Sequence, residues 1–72
     1  MVRYQEAVAA YEHALKLDPN LPEAYTNTGL AHHGLGQYEA AVTYHLKALK
    51  LKVNFVEALS NLGNTYNAMG RY

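Results

Sequence analysis

Shifted against itself by thirty-four positions, the 72-residue sequence is identical at fourteen of thirty-eight pairs. Ordinary composition would give roughly two or three. The matches are Tyr4/Tyr38, Ala7/Ala41, Val8/Val42, Ala14/Ala48, Leu15/Leu49, Lys16/Lys50, Leu17/Leu51, Asn20/Asn54, Glu23/Glu57, Ala24/Ala58, Asn27/Asn61, Gly29/Gly63, Gly36/Gly70 and Tyr38/Tyr72. A period in the twenty-to-fifty range means a solenoid, in which each unit buries its apolar face only against its neighbours.

Within the period the pattern is helical. Tyr4, Ala7, Val8, Tyr11, Ala14 and Leu15 fall on one face of an α-helix, and Tyr38, Ala41, Val42, His45, Ala48 and Leu49 repeat that face. A second type of helix carries Tyr25, Thr28, His32 and Leu35, repeated as Leu59, Leu62, Tyr66 and Met69. Pro22 suits a first helical turn, where no backbone N–H is required. Asp18-Pro19-Asn20 reads as a turn, because the residue before a proline avoids the α region. Gly36 and Gly70 sit where a left-handed residue ends a helix. The spacing therefore predicts helices over 3–17, 22–35, 38–51 and 56–69.

Small residues recur at the same period. Gly29 and Gly63 stand mid-helix, where glycine costs about 1 kcal/mol relative to alanine. With Ala41 and Ala48 they would let antiparallel helices approach closely, while Tyr38 and Leu49 fill the edges.

Composition narrows the function. Six Lys+Arg balance six Asp+Glu, so there is no basic footprint for nucleic acid and no acidic tail. Half the residues are hydrophobic, too many for a disordered chain. Charged or polar residues interrupt every apolar run well short of the ~18 residues of a membrane helix. The start, Met1-Val2-Arg3-Tyr4-Gln5-Glu6, has no apolar stretch typical of a secretory signal. There is no cysteine, which excludes disulfides and thiolate metal sites. The expectation is a cytoplasmic protein that contacts neither nucleic acid nor membrane.

The spacing of these positions resembles the tetratricopeptide repeat (TPR) pattern. Leu59, Leu62-Gly63, Tyr66 and Gly70 resemble its first half, and Ala7, Tyr11, Ala14 and Pro19 its second. The middle unit carries Tyr25, Gly29, Ala41 and Ala48, and departs at Thr28, His32, His45 and Val53. Leu21-Pro22, Phe55 and Asn61-Leu62-Gly63-Asn64 are most similar to repeats of the O-linked N-acetylglucosamine transferases, in which catalysis lies elsewhere. The resemblance implies an all-α solenoid of antiparallel helix pairs, about four helices in the order B-A-B-A. On that phase, 1–21 holds the second helix of a partial repeat, 22–55 a complete repeat and 56–72 the first helix of another.

The same resemblance implies a concave surface of A helices that binds an extended peptide. That face would carry Glu23, Thr26, Asn27 and Leu30, with His33, and then Glu57, Ser60, Asn61 and Asn64, with Asn67. Asn27 and Asn61 stand out, because a primary amide donates and accepts at once and can pair with any peptide backbone. They can equally tie adjacent helices together. Chaperone-binding relatives clamp a carboxylate with basic residues, whereas here no basic residue precedes Arg71 on either A helix. Glu23 and Glu57 instead favour a neutral or basic segment.

Other chemistry is sparse. His13 faces outward, and His32 and His45 take core positions where the family usually has an aromatic. If those two met, protonation below about pH 6 would loosen the core. A satisfied core or groove histidine is the competing reading. His32 and His33 point about 100° apart and cannot chelate one ion. Lys47, Lys50 and Lys52 read as a solvated helix end, and Glu12 with Lys16 as an i, i+4 pair. One serine (Ser60), one aspartate (Asp18) and no phosphate loop argue against an enzyme or a cofactor. Two functions remain. One is a protein-interaction module. The other is a self-associating repeat, a homo-oligomer whose uncapped terminal helices pack head-to-tail or as a dimer.

Overall fold

The computed structural model describes residues 3–70. Met1, Val2, Arg71 and Tyr72 lie outside them, and with them the last identity of the repeat. The helices are α1 (Tyr4–Leu17), α2 (Pro22–Gly34), α3 (Tyr38–Leu51) and α4 (Val56–Ala68). Each boundary falls within one residue of its expected place, and no strand occurs among the described residues.

Local chemistry sets the ends. Asp18 is extended before Pro19, and its Oδ1 accepts the Asn20 N–H at 3.1 Å, closing the first turn. Pro22 opens α2 at a position that needs no N–H. After α2, Gly36 takes φ 78°. Its N–H reaches the His33 carbonyl at 2.9 Å, and the Gln37 N–H reaches that of His32 at 2.8 Å. This pair of bonds is a Schellman closure, which an L side chain at Gly36 would strain. Gly70 repeats the conformation with φ 77°.

The helices pack as consecutive antiparallel neighbours, most extensively α2 on α3. The backbones of α2 and α4 also meet, whereas those of α1 and α3 do not. So α2 and α4 form one layer and α1 and α3 the other, in a slab of 35 × 32 × 17 Å. A solenoid whose helices approach in one layer and separate in the other curves toward the closer layer.

Burial follows position in the stack. Ala41, His45 and Ala48 of α3 are fully buried between α2 and α4. Their counterparts Ala7, Tyr11 and Ala14 on α1 are only half-buried, because α1 has a neighbour on one side. Phe55, Ala48 and Ala58 form an apolar centre, flanked by Tyr25 and Leu49. On α4, Val56 and Leu59 stay exposed, at 75% and 50%.

Candidate functional site

The α2–α4 layer displays the polar set anticipated from the repeat. Glu23 and Leu30 on α2 and Glu57, Ser60 and Asn64 on α4 are exposed, and Asn27 and Asn61 are half-buried. Thr26 departs from that expectation. It is wholly buried, because position 26 turns toward α3 and α4 rather than to the open face. Its Oγ1 lies 2.7 Å from His45 Nδ1 and accepts a hydrogen bond from Asn61 Nδ2 at 3.2 Å. Asn61 thus ties α4 to α2.

The histidines divide by environment. His45 is buried, its Nδ1 paired with Thr26, and its Nε2 has no partner among the described residues. Burial, aided by the nearby His33, pushes its pKa down from 6.5 to about 4. The neutral ring suits the site, since an imidazolium would carry a second N–H needing an acceptor. His32 is half-buried, pairs with Gln37 at 2.6 Å and stacks on Tyr44 at 5.2 Å. The two histidines therefore serve separate contacts rather than a shared one. His33 Nδ1 lies 2.9 Å from Thr65 Oγ1, and its ring meets Tyr38 edge-on at 5.0 Å. Thr65 donates to the Asn61 carbonyl at 3.0 Å, so its oxygen is left to accept from His33. His13 is exposed. No group of three or more His, Cys, Asp or Glu is placed to hold a metal among the described residues.

The lysines border aromatic rings. Lys52 Nζ lies 4.7 Å from the Phe55 centroid and 3.9 Å from Glu23, an exposed pair of small energetic weight. Lys47 stands 5.7 Å from the Tyr44 ring. The Tyr44 hydroxyl donates to Glu12 at 3.1 Å and bridges α3 to α1. Burial and the neighbouring carboxylate both raise its pKa.

One feature escapes the pattern of exposed polar residues. A cleft of about 420 Å³ runs between α1 and α2, lined by Tyr4, Ala7, Tyr11, Asn27, Ala31 and Gly34 among others. Its α1 side belongs to the periodic apolar face of that helix, so the signal was present in the sequence. What periodicity alone could not say is that this face stays open toward Asn27. Pro19, Tyr25, Lys47, Lys50 and Leu51 line a smaller cavity of about 130 Å³.

No described helix is long and apolar enough to cross a membrane. The family model described as a TPR repeat matches residues 3–36 and again 33–70. No curated protein matches the chain.

Proposed function

This chain belongs to the tetratricopeptide repeat family, whose repeats are generally non-catalytic protein-interaction modules, and we propose that it binds an extended partner segment across α2 and α4. The observation that carries this reading is the register of the exposed face. Glu23, Asn27 and Leu30 on α2 have their counterparts in Glu57, Asn61 and Asn64 on the helix beside it. Neighbouring helices ~10 Å apart match about three residues of an extended peptide at ~3.3 Å each. Glu57 and Glu23, the latter with Lys52 beside it, and the absence of Lys or Arg from α2 and α4 themselves favour a neutral or basic segment. Asn27 and Asn64 are the amides best placed for its backbone, since Asn61 is engaged with Thr26.

The finer resemblance of Asn61-Leu62-Gly63-Asn64 to the transferase repeats is part of the same proposal, a role of recognition without chemistry. The extensive packing of α2 on α3 supports 22–55 as the complete repeat, with 1–21 and 56–72 as its half-repeat flanks. A peptide array followed by fluorescence anisotropy tests the groove. Asn27→Ala combined with Asn64→Ala should weaken every peptide found, and unchanged affinities would refute the surface.

A second reading is self-association. What favours it is the uneven burial of equivalent residues, with α1 half-buried where α3 is fully buried and α4 exposing Val56 and Leu59.

A further inference from the structure

The packing of α2 inside the molecule is a template for contact between molecules. Helix α2 lies in a slot whose walls are α3 and α4. Thr26 meets His45 and Asn61, His33 meets Tyr38 and Thr65, and Gly29 lets the His45 ring sit against its backbone. Moved back by one period, the wall residues Tyr38, His45, Asn61 and Thr65 become Tyr4, Tyr11, Asn27 and Ala31. All four line the open cleft between α1 and α2. One period forward, the repeat equivalent of α2 is α4, with Ser60, Gly63 and Asn67 in the places of Thr26, Gly29 and His33. Those three residues are exposed, and nothing lies within 4 Å of where a side chain on Gly63 would begin.

We propose that the α1–α2 cleft of one molecule receives α4 of a second copy, in the register that α2 adopts between α3 and α4. This rests on the self-association reading and specifies its occupant, direction and residues. Asn27 donates to Ser60 Oγ of the second copy, as Asn61 donates to Thr26. The Tyr11 ring covers the second copy's Gly63, as His45 covers Gly29. Tyr4 meets its Asn67, as Tyr38 meets His33.

Shape and charge both favour a helix of this chain as the occupant. Tyr4, Ala7 and Tyr11 on one wall and Asn27, Ala31 and Gly34 on the other recur at three- and four-residue steps. The cleft therefore runs lengthwise along two helices and accepts a rod. No Lys, Arg, Asp or Glu is among the residues lining the cleft, and the residues proposed to enter it, Ser60, Gly63 and Asn67, are uncharged, so these contacts strand no unpaired charge. The contact is heterologous, so each added copy presents a fresh cleft and a fresh α4, and growth is open-ended.

Sedimentation velocity on the 72-residue chain over a wide concentration range tests this together with disulfide trapping. The sequence has no cysteine, so single Asn27→Cys and Ser60→Cys chains can be mixed and mildly oxidised. The proposal expects average mass to climb with concentration and mixed disulfides to exceed random pairing. It also expects Gly63→Leu to abolish the climb while melting no lower than the parent. A single monomer mass at every concentration overturns the self-association reading and this interface with it. A climb that Gly63→Leu leaves intact, with random cross-linking, overturns the register alone and leaves self-association standing.

Discussion

The imidazole of His45 lies so close over Gly29 that a methyl group there would come within 2.6 Å of Cε1 and 2.9 Å of Nδ1. The ring cannot withdraw, because it is fully buried and held by Thr26. Gly29→Ala therefore gains about 1 kcal/mol of helix propensity against roughly 1–3 kcal/mol of overpacking, a net loss. At Gly63 the same change meets open space, and the propensity gain stands alone. Thermal melts at low protein concentration should show Gly29→Ala below the parent. Gly63→Ala should melt above it by about 4–8 °C, the shift 1 kcal/mol produces in so small a domain.

His45 makes stability depend on pH. Its folded pKa, about 4, is below its ordinary 6.5, because burial disfavours the charged ring. The unfolded chain therefore takes up the proton first. The stability from keeping the ring neutral is fully present above pH 6.5, declines as pH falls, and is gone below about pH 4. The total is on the order of 3 kcal/mol. Urea midpoints at pH 7, 6, 5 and 4 should fall with acid, and His45→Gln should flatten that slope.

Thr26 connects α3 to α4 through one hydroxyl. Thr26→Val keeps the shape but leaves His45 Nδ1 and Asn61 Nδ2 without their partner, at a cost of roughly 1–3 kcal/mol. Asn61→Ala removes a half-buried donor and should cost about 1 kcal/mol. Because both changes break the same bond, the double variant should lose less than the sum. Strict additivity in chemical denaturation would show that the tie between the helices carries no energy.

Gly36 is set by backbone geometry alone. Nothing lies within 4 Å of a side chain placed there, yet φ is 78°. Gly36→Ala should lose about 1–2 kcal/mol through left-handed strain, and Gly36→Asn less, since asparagine tolerates that region. Equal urea midpoints for the two variants would contradict this cause.

Periodicity revealed nearly all of the secondary structure. The residues Tyr4, Ala7, Val8, Tyr11, Ala14 and Leu15, read as one helical face, are half-buried along α1. The turns at Pro19 and Gly36 end helices as their chemistry requires. These features are local: a dihedral preference or a spacing of three and four residues is fixed wherever the chain lies.

Equivalence in sequence did not bring equivalence in environment. Gly29 and Gly63 are one position of the repeat, and so are Tyr11 and His45, but only Gly29 and His45 are covered by a neighbouring helix on the face they share. Thr26 belongs by spacing with the groove residues and by packing with the interior. The sequence by itself determined the helices, their ends and their faces, because those depend on nearest neighbours along the chain. Tertiary structure decided which copy of each face is buried, which amide is already engaged and which cleft stays open, because burial depends on how many helices flank a given one.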